Sequence, residues 1–212
     1  MSYLSSNKEL YEFCCNLTTA STRTGNSAAL HCQPVMRNVR CPNMKQKYLG
    51  DSYDLVKRFF CIALATLGYE VVIDPMFTGE WNGKEETFYR LIGARPLGDS
   101  PNSRRTALFI DPDTGVREVA GKRHVSFDRI VAELQNHALV FVFDQSFSYQ
   151  AKPEVVMCEK LAAIRNRGCH GFYYDSHARF LFVSRGTENL NMLVRRLSEL
   201  GIPHSRLLQG NT

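Results

Sequence analysis

Three short apolar runs, each closed by an aspartate, constrain the fold of this chain more than any other feature. They are YEVVID at 69–74, TALFID at 106–111 and ALVFVFD at 138–144. Continuous apolar runs of this length are typical of strands that are buried on both faces, as in a parallel sheet covered by helices. The runs therefore predict three buried strands of an α/β fold.

Helical patterns lie before, between and after these strands. The stretch SYDLVKRFFCIALATLG follows Asp51, which can cap a helix, and it ends at Gly68. The apolar residues of this stretch predict one buried helix face, formed by Leu55, Phe59, Ile62, Ala63 and Leu67. Further helices are predicted at 84–92, after a Ser126 cap, between Pro153 and Gly168, and after a Thr187 cap.

The last third of the chain predicts an antiparallel part of the sheet. HGFYYDSHARFLFVSR at 170–185 indicates a hairpin that turns near Ser176 and His177, and SRLLQ at 205–209 indicates an edge strand. Together with the alternation of strands and helices, this pattern predicts a Rossmann-like three-layer sandwich over residues 44–212. Its sheet is expected to be mostly parallel, with an antiparallel C-terminal hairpin.

Residues 1–43 have a different composition from the rest of the chain. They are rich in Ser, Thr and Asn, and they contain four of the seven cysteines. We therefore predict a poorly ordered N-terminal extension. The chain has no apolar run of about 18 residues, and its start lacks a basic stretch followed by an apolar one. We expect a cytoplasmic protein without a membrane span, and the odd cysteine count fits a reducing compartment.

The strand ends supply the first group of candidate site residues. Asp74, Asp111 and Asp144 each follow a predicted strand, and ligands of open α/β sheets bind beyond the carboxyl ends of the strands. Asp111-Pro112-Asp113 is the strongest candidate for catalysis, because two carboxylates flank a proline where the second strand stops. An aspartate at one strand end is a common turn former, but three at one edge favour a site.

The start of the first helix supplies the second group. Gly50, Asp51, Asp54 and Lys57 lie there, and the two carboxylates are near the positive end of the helix dipole. Lys57 could meet a carboxylate group of a ligand. The loop FTGEW after the first strand has the single glycine Gly79 where a dinucleotide fingerprint has more. This argues against a nicotinamide dinucleotide and leaves S-adenosylmethionine open, because that cofactor has no pyrophosphate.

Basic residues surround the second strand. With a net charge of +5, the chain suits a polyanionic partner without identifying one. The cations that could follow a DNA or RNA backbone are Arg104, Arg105, Arg117, Lys122 and Arg123.

Two motifs carry a resemblance to known families. KYLGDSYDLVKRFF and FIDPDTG resemble a group of uncharacterised bacterial proteins with the pattern K-Y-x-G-D-x-x-D-x-x-K followed by D-P-D-N-G. More distantly, they resemble the large-subunit ribosomal RNA adenine-N6 methyltransferases, which have a G-N-x-A-D-x-x-K-H helix start and a D-P-P-Y tetrad. This resemblance implies an S-adenosylmethionine-dependent methyltransferase acting on nucleic acid. Lys57 and Asp74 would then hold the cofactor, and Asp111-Pro112 would begin the catalytic tetrad.

Departures from that tetrad keep two alternatives open. Asp113 and Thr114 stand where the tetrad has a proline and an aromatic residue that stacks on the target base. The first alternative is a Mg²⁺-dependent nuclease with Asp111 and Asp113 as metal ligands and Glu118 and Lys122 close behind. The second is a non-catalytic nucleic-acid-binding partner in a defence or modification system.

Overall fold

The computed structural model describes residues 48–77, 81, 83–98, 105–147 and 151–209. The predicted extension at 1–43 lies outside these ranges. The elements in chain order are α1 (Ser52–Thr66), β1 (Glu70–Asp74), α2 (Glu85–Ile92), β2 (Arg95–Pro96), β3 (Thr106–Ile110), β4 (Gly115–Arg117), β5 (His124–Ser126), α3 (Phe127–Glu133), β6 (Leu139–Phe143), α4 (Pro153–Arg165), β7 (His170–Tyr174), β8 (Phe180–Ser184), α5 (Thr187–Glu199), a 3-10 helix (His204–Arg206) and β9 (Leu207–Gln209).

Seven of these strands form one mixed sheet in the order β2-β1-β3-β6-β8-β7-β9. The neighbours from β2 to β6 are parallel, whereas β8 is antiparallel to both β6 and β7, and β9 is antiparallel to β7. Five strands therefore run in one direction. The predicted α/β class, the mostly parallel sheet and the antiparallel C-terminal hairpin are confirmed.

Apolar side chains leave both faces of the sheet, which explains the continuous apolar runs. On one face, Phe109 of β3, Phe141 of β6 and Phe182 of β8 form a stack, with ring centroids 4.6 and 5.5 Å apart. This face packs against α1, α2 and α5. The opposite face, which carries Leu108 and Val140, packs against α3 and α4. Each central strand thus buries both of its sides.

The predicted buried face of α1 is correct for Ala63 but wrong for two of its members. Leu55 and Ile62 are 58% and 49% exposed, and the helix instead buries Asp54 and Lys57 together with apolar residues further along, such as Leu64. The helix is rotated relative to the prediction because its sheet-facing side carries two charged residues in its first two turns. Charged residues of this kind are rarely buried unless they are paired, so the periodicity of apolar residues alone could not identify this face.

Several local features differ from the sequence prediction or refine it. Ser126 caps α3 as predicted, since its Oγ accepts a hydrogen bond from Arg129 N at 3.2 Å. Thr187 is the first helical residue of α5, whereas Gly186 takes the cap position. The sequence predicts no strand at β2, β4 or β5, yet β2 pairs with β1, and β4 and β5 pair with each other in a small second sheet. No helix in the described ranges is long and apolar enough to cross a bilayer.

The strand order reverses between β1 and β3. After β1 the chain passes through α2 on the first face to reach β2, and it then returns to the other side of β1 to form β3. After β3 it continues through β4, β5 and α3 on the second face. The loops that leave β1 and β3 therefore diverge to opposite faces. Such a divergence opens a crevice at the carboxyl ends of the two strands, where α/β proteins bind ligands.

Candidate functional site

The start of α1 lies at this edge of the sheet and is organised by two aspartates. Asp51 is the helix cap, and its Oδ1 accepts hydrogen bonds from Tyr53 N at 2.9 Å and Asp54 N at 3.1 Å. Asp54 Oδ2 accepts a hydrogen bond from Gly50 N at 2.8 Å, which requires the turn that Gly50 makes with a φ of 87°. Gly50 and Asp51 thus shape the helix start and orient Asp54 inward.

Lys57 is held between two carboxylates one turn further along α1. Its Nζ lies 3.1 Å from Asp54 Oδ1 and 2.8 Å from Asp111 Oδ2. The ammonium group also lies 5.0 Å from the centroid of the Phe143 ring. Burial alone would lower the pKa of Lys57, but the charges of Asp111 and Asp54 together raise it. Lys57 is therefore a buried cation that links α1 to the end of β3.

Asp111 is the most unusual group at this edge. It is fully buried, and within the described residues its Oδ1 accepts no hydrogen bond, while its Oδ2 is in the ion pair with Lys57. Burial raises the pKa of Asp111 to about 6, against the opposing effect of Lys57 and with a further increase from Asp54 and Asp113. A buried carboxylate oxygen without a donor is costly, and such groups are concentrated at functional sites.

The loop after β3 brings a second carboxylate close to Asp111. The Asp113 side chain is 1% exposed, and its Oδ2 lies 3.5 Å from Arg123 Nε. Thr114 connects the loop after β3 to the start of β5, since its backbone N and its Oγ1 both donate hydrogen bonds to Arg123 O, at 2.9 and 2.8 Å. Pro112, between the two aspartates, is buried. The predicted catalytic tripeptide is therefore packed into the structure rather than exposed in a turn.

The basic residues predicted to bind nucleic acid do not all lie together. Arg117 and Lys122 are exposed in the β4–β5 segment that follows Asp113, and Arg123 joins them there. Arg105 lies immediately before β3, at the amino ends of the strands and away from the candidate site, with its guanidinium 4.9 Å from the Tyr69 ring. Arg104 and Gly79 lie outside the described residues. Three of the five predicted cations thus remain beside the candidate site.

Asp74, at the end of β1, already has partners. Its Oδ2 is ion-paired with Arg129 Nη2 of α3, and its Oδ1 accepts a hydrogen bond from Met76 N at 3.1 Å. Met76 has a φ of 46°, a conformation that costs a non-glycine residue about 1–3 kcal/mol. Asp74 lies where β1 ends and the segment to α2 begins, and Arg129 lies in the segment that follows β3. Their ion pair therefore joins the two segments that diverge at the crevice.

Asp144, at the end of β6, is the best-satisfied of the three strand-end aspartates. Five donors contact its carboxylate: Val116 N at 3.0 Å, Ser146 N at 3.1 Å, Ser146 Oγ at 2.6 Å, Lys160 Nζ at 2.6 Å and Tyr173 OH at 2.7 Å. Gly115 approaches so closely that a Cβ there would lie 2.1 Å from Asp144 Oδ1. Asp144 therefore has a structural role, which fixes β4 against β6.

Sequence reasoning missed the partners of these aspartates. Lys160 lies on the buried face of α4, where it looks like one polar residue in an apolar pattern. Burial lowers the pKa of Lys160, although the charge of Asp144 acts in the opposite direction. Arg129 and Tyr173 gave no signal in the sequence either, because both come from distant elements.

Two cavities that are lined by described residues lie away from the strand-end aspartates. A cavity of about 380 Å³ lies between α2 and the β1–β2 edge, and one of about 350 Å³ lies between α4 and α5 beside β7. Neither is lined by Asp111 or Lys57. Within the part of the chain that the structure describes, no three His, Cys, Asp or Glu side chains lie close enough together to hold a metal ion by themselves.

Comparisons with known proteins give no relative from which the role of this site could be inferred. No protein-family model, no curated protein and no solved structure matches the chain. The resemblance to bacterial D-P-D-N-G proteins and to ribosomal RNA methyltransferases stays a prediction. The site is thus defined by its own geometry, in which Lys57, Asp54, Asp111 and Asp113 meet at the divergence of the loops after β1 and β3.

Proposed function

We propose that the chain is a Mg²⁺-dependent enzyme that hydrolyses phosphodiesters of nucleic acid at Asp111 and Asp113. The observation that carries this proposal is the Asp111 carboxylate, which is fully buried and has one oxygen without a hydrogen-bond donor among the residues that the structure describes. Leaving such an oxygen unsatisfied costs on the order of 1–3 kcal/mol or more. A divalent cation would satisfy it, since hard cations prefer carboxylate oxygens.

The charges around Asp111 support a cation rather than an anion. Asp54, Asp111 and Asp113 bring three negative charges, while Lys57 and Arg123 bring two positive ones. Mg²⁺ is commonly held by one or two carboxylates and completes its shell with water and substrate phosphate. Two aspartates are therefore enough, and the lack of a third close ligand within the described ranges is compatible with this kind of site.

Each side chain has a role in this proposal. Bound Mg²⁺ would polarise a phosphoryl oxygen and lower the pKa of a bound water. Lys57, anchored by Asp54, would stabilise the negative charge that develops on the phosphate next to Asp111. The exposed Arg117 and Lys122 would bind the phosphate backbone on either side without reading its sequence.

The test is cleavage of labelled single- and double-stranded DNA and RNA, with MgCl₂ or with EDTA. We expect cleavage in MgCl₂ alone, and its loss in Asp111→Asn and in Asp113→Asn. Asp128→Asn is the matched control, because this aspartate lies on α3 with a side chain that is 78% exposed. Cleavage that persists in both site variants, or that continues in EDTA, would refute the proposal.

A methyltransferase is the second candidate, and one observation favours it. The crevice lies where the strand order reverses, which is where Rossmann-like sheets bind nucleotide-type cofactors. It ranks second because Lys57 is engaged by two carboxylates and Asp74 by Arg129. Isothermal titration with S-adenosylmethionine distinguishes the two: saturable binding without Mg²⁺ would favour the methyltransferase. Nucleic-acid binding without either activity would favour a non-catalytic partner in a defence or modification system.

A further inference from the structure

Two exposed aromatic rings lie together at the rim of the candidate site. Tyr53 is in the first turn of α1, and His177 is in the turn between β7 and β8. Their ring centroids are 5.5 Å apart and their planes are inclined by 52°. The turn that carries His177 is fixed, because Gln145 Nε2 donates a hydrogen bond to His177 O at 2.9 Å. The pair therefore forms a defined aromatic surface.

Three contacts connect this surface to Asp111. The Tyr53 ring packs edge-on against Phe143, with centroids 5.5 Å apart. The Phe143 ring lies 5.0 Å from Lys57 Nζ, which in turn lies 2.8 Å from Asp111 Oδ2. Tyr53 is nevertheless 36% exposed, so part of this residue faces solvent beside the buried charges. A flat molecule on the Tyr53 ring would be adjacent to the proposed reaction centre.

We infer that the site takes single-stranded nucleic acid, one base of which stacks on the Tyr53 ring beside His177. This inference rests on the proposed function, because it names the substrate class of the same site. Aromatic side chains bind unpaired bases by stacking, which is tolerant of sequence because every base has a π face. In a duplex, both faces of an internal base are already covered by its neighbours. The exposed Arg117 and Lys122 supply the backbone contacts that such binding also needs.

The experiment is fluorescence anisotropy in EDTA, where no cleavage is expected. The probes are a labelled short oligothymidylate and the same strand annealed to its complement. We expect tighter binding of the single strand, and a loss of roughly 5- to 150-fold in Tyr53→Ala, the range for one stacked base. Tyr53→Phe keeps the ring and should bind like the wild type. Tyr53→Leu keeps the apolar contact with Phe143 without a π face, and it should weaken binding as Tyr53→Ala does.

The outcomes separate this inference from the proposed function. Equal affinity for single strand and duplex overturns it, as does unchanged binding in Tyr53→Ala and Tyr53→Leu, or no binding at all. Cleavage in MgCl₂ without a single-strand preference overturns this inference and leaves the proposed hydrolysis intact. Ring-dependent single-strand binding without any cleavage supports this inference while the proposed hydrolysis fails. Thermal unfolding of each variant identifies a loss of binding that is caused by misfolding. If Tyr53→Ala is misfolded, the affinity of Tyr53→Leu for the single strand decides whether the inference holds.

Discussion

Replacing Asp111 with asparagine is expected to stabilise the folded chain at neutral pH while it abolishes the proposed activity. Asparagine has nearly the same shape and removes the charge. Burial raises the pKa of Asp111 in the folded chain to about 6, whereas an unfolded aspartate titrates near 3.9. The folded chain therefore binds the proton of the Asp111 carboxyl more tightly than the unfolded chain does. The stability gained from this proton binding is complete below about pH 4, and it is lost as the pH rises through about 6.

The size of the effect follows from the difference between these two pKa values. Roughly two pH units correspond to about 3 kcal/mol of unfolding free energy, because one unit is worth about 1.4 kcal/mol. Lys57 keeps Asp54 as its partner in the variant, at 3.1 Å. Asp111→Asn should therefore gain up to about 3 kcal/mol at pH 7.5, or about 6–12 °C in Tm. At pH 5 the gain should fall to roughly half, because the wild-type carboxyl is then largely protonated.

Urea unfolding at pH 7.5 and pH 5 measures this difference. The matched variant is Asp144→Asn, which changes the other fully buried strand-end aspartate in the same way. Its carboxylate accepts hydrogen bonds from five donors, so this variant should lose at least about 2 kcal/mol at pH 7.5. A loss of stability in Asp111→Asn at pH 7.5, or an equal gain at both pH values, would refute the reasoning.

Two further changes test the packing around the site. Lys57→Met should cost about 3–5 kcal/mol in urea unfolding, because it leaves two buried carboxylates without a counter-charge. Adding Asp111→Asn to it should gain more stability than the same change gains in the wild type, because the carboxylate that it removes then has no counter-charge, and strictly additive effects would contradict the pairing. Gly115→Ala should cost at least about 4 kcal/mol in the same assay, since its Cβ would meet a carboxylate oxygen at 2.1 Å with a φ of 103°. Gly93→Ala, at a φ of 77° with no atom within 4 Å of the added Cβ, should cost only about 1–2 kcal/mol, and equal losses would exclude the clash.

The central strands were predictable because burial on both faces leaves an unambiguous pattern. The predicted strands at 69–74, 106–110 and 138–143 correspond to β1, β3 and β6, each within one residue of its observed bounds. The β7–β8 hairpin followed in the same way from two apolar runs around a polar turn. The short strands β4 and β5 escaped prediction because three residues are too few to establish a period.

The candidate site was predictable in its members but not in its contacts. Asp111 and Lys57 are both prominent in the sequence, one after a strand and one near a helix start. Their contact depends on which side of α1 faces the sheet, and the apolar periodicity favoured the wrong side. The opposite roles of Asp111 and Asp144 depend on partners from distant elements, such as Lys160, which local sequence patterns do not report.

The two outer strands of the sheet have a consequence for how copies of this chain meet one another. Within the described residues, β2 has two residues and β9 has three, whereas the inner strands have five each. Pro96 also removes a backbone donor from the β2 edge. Long, flat outer strands invite the addition of another chain and lead to aggregation. These edges offer few backbone groups for such pairing, so the five-residue strands are kept inside the sheet.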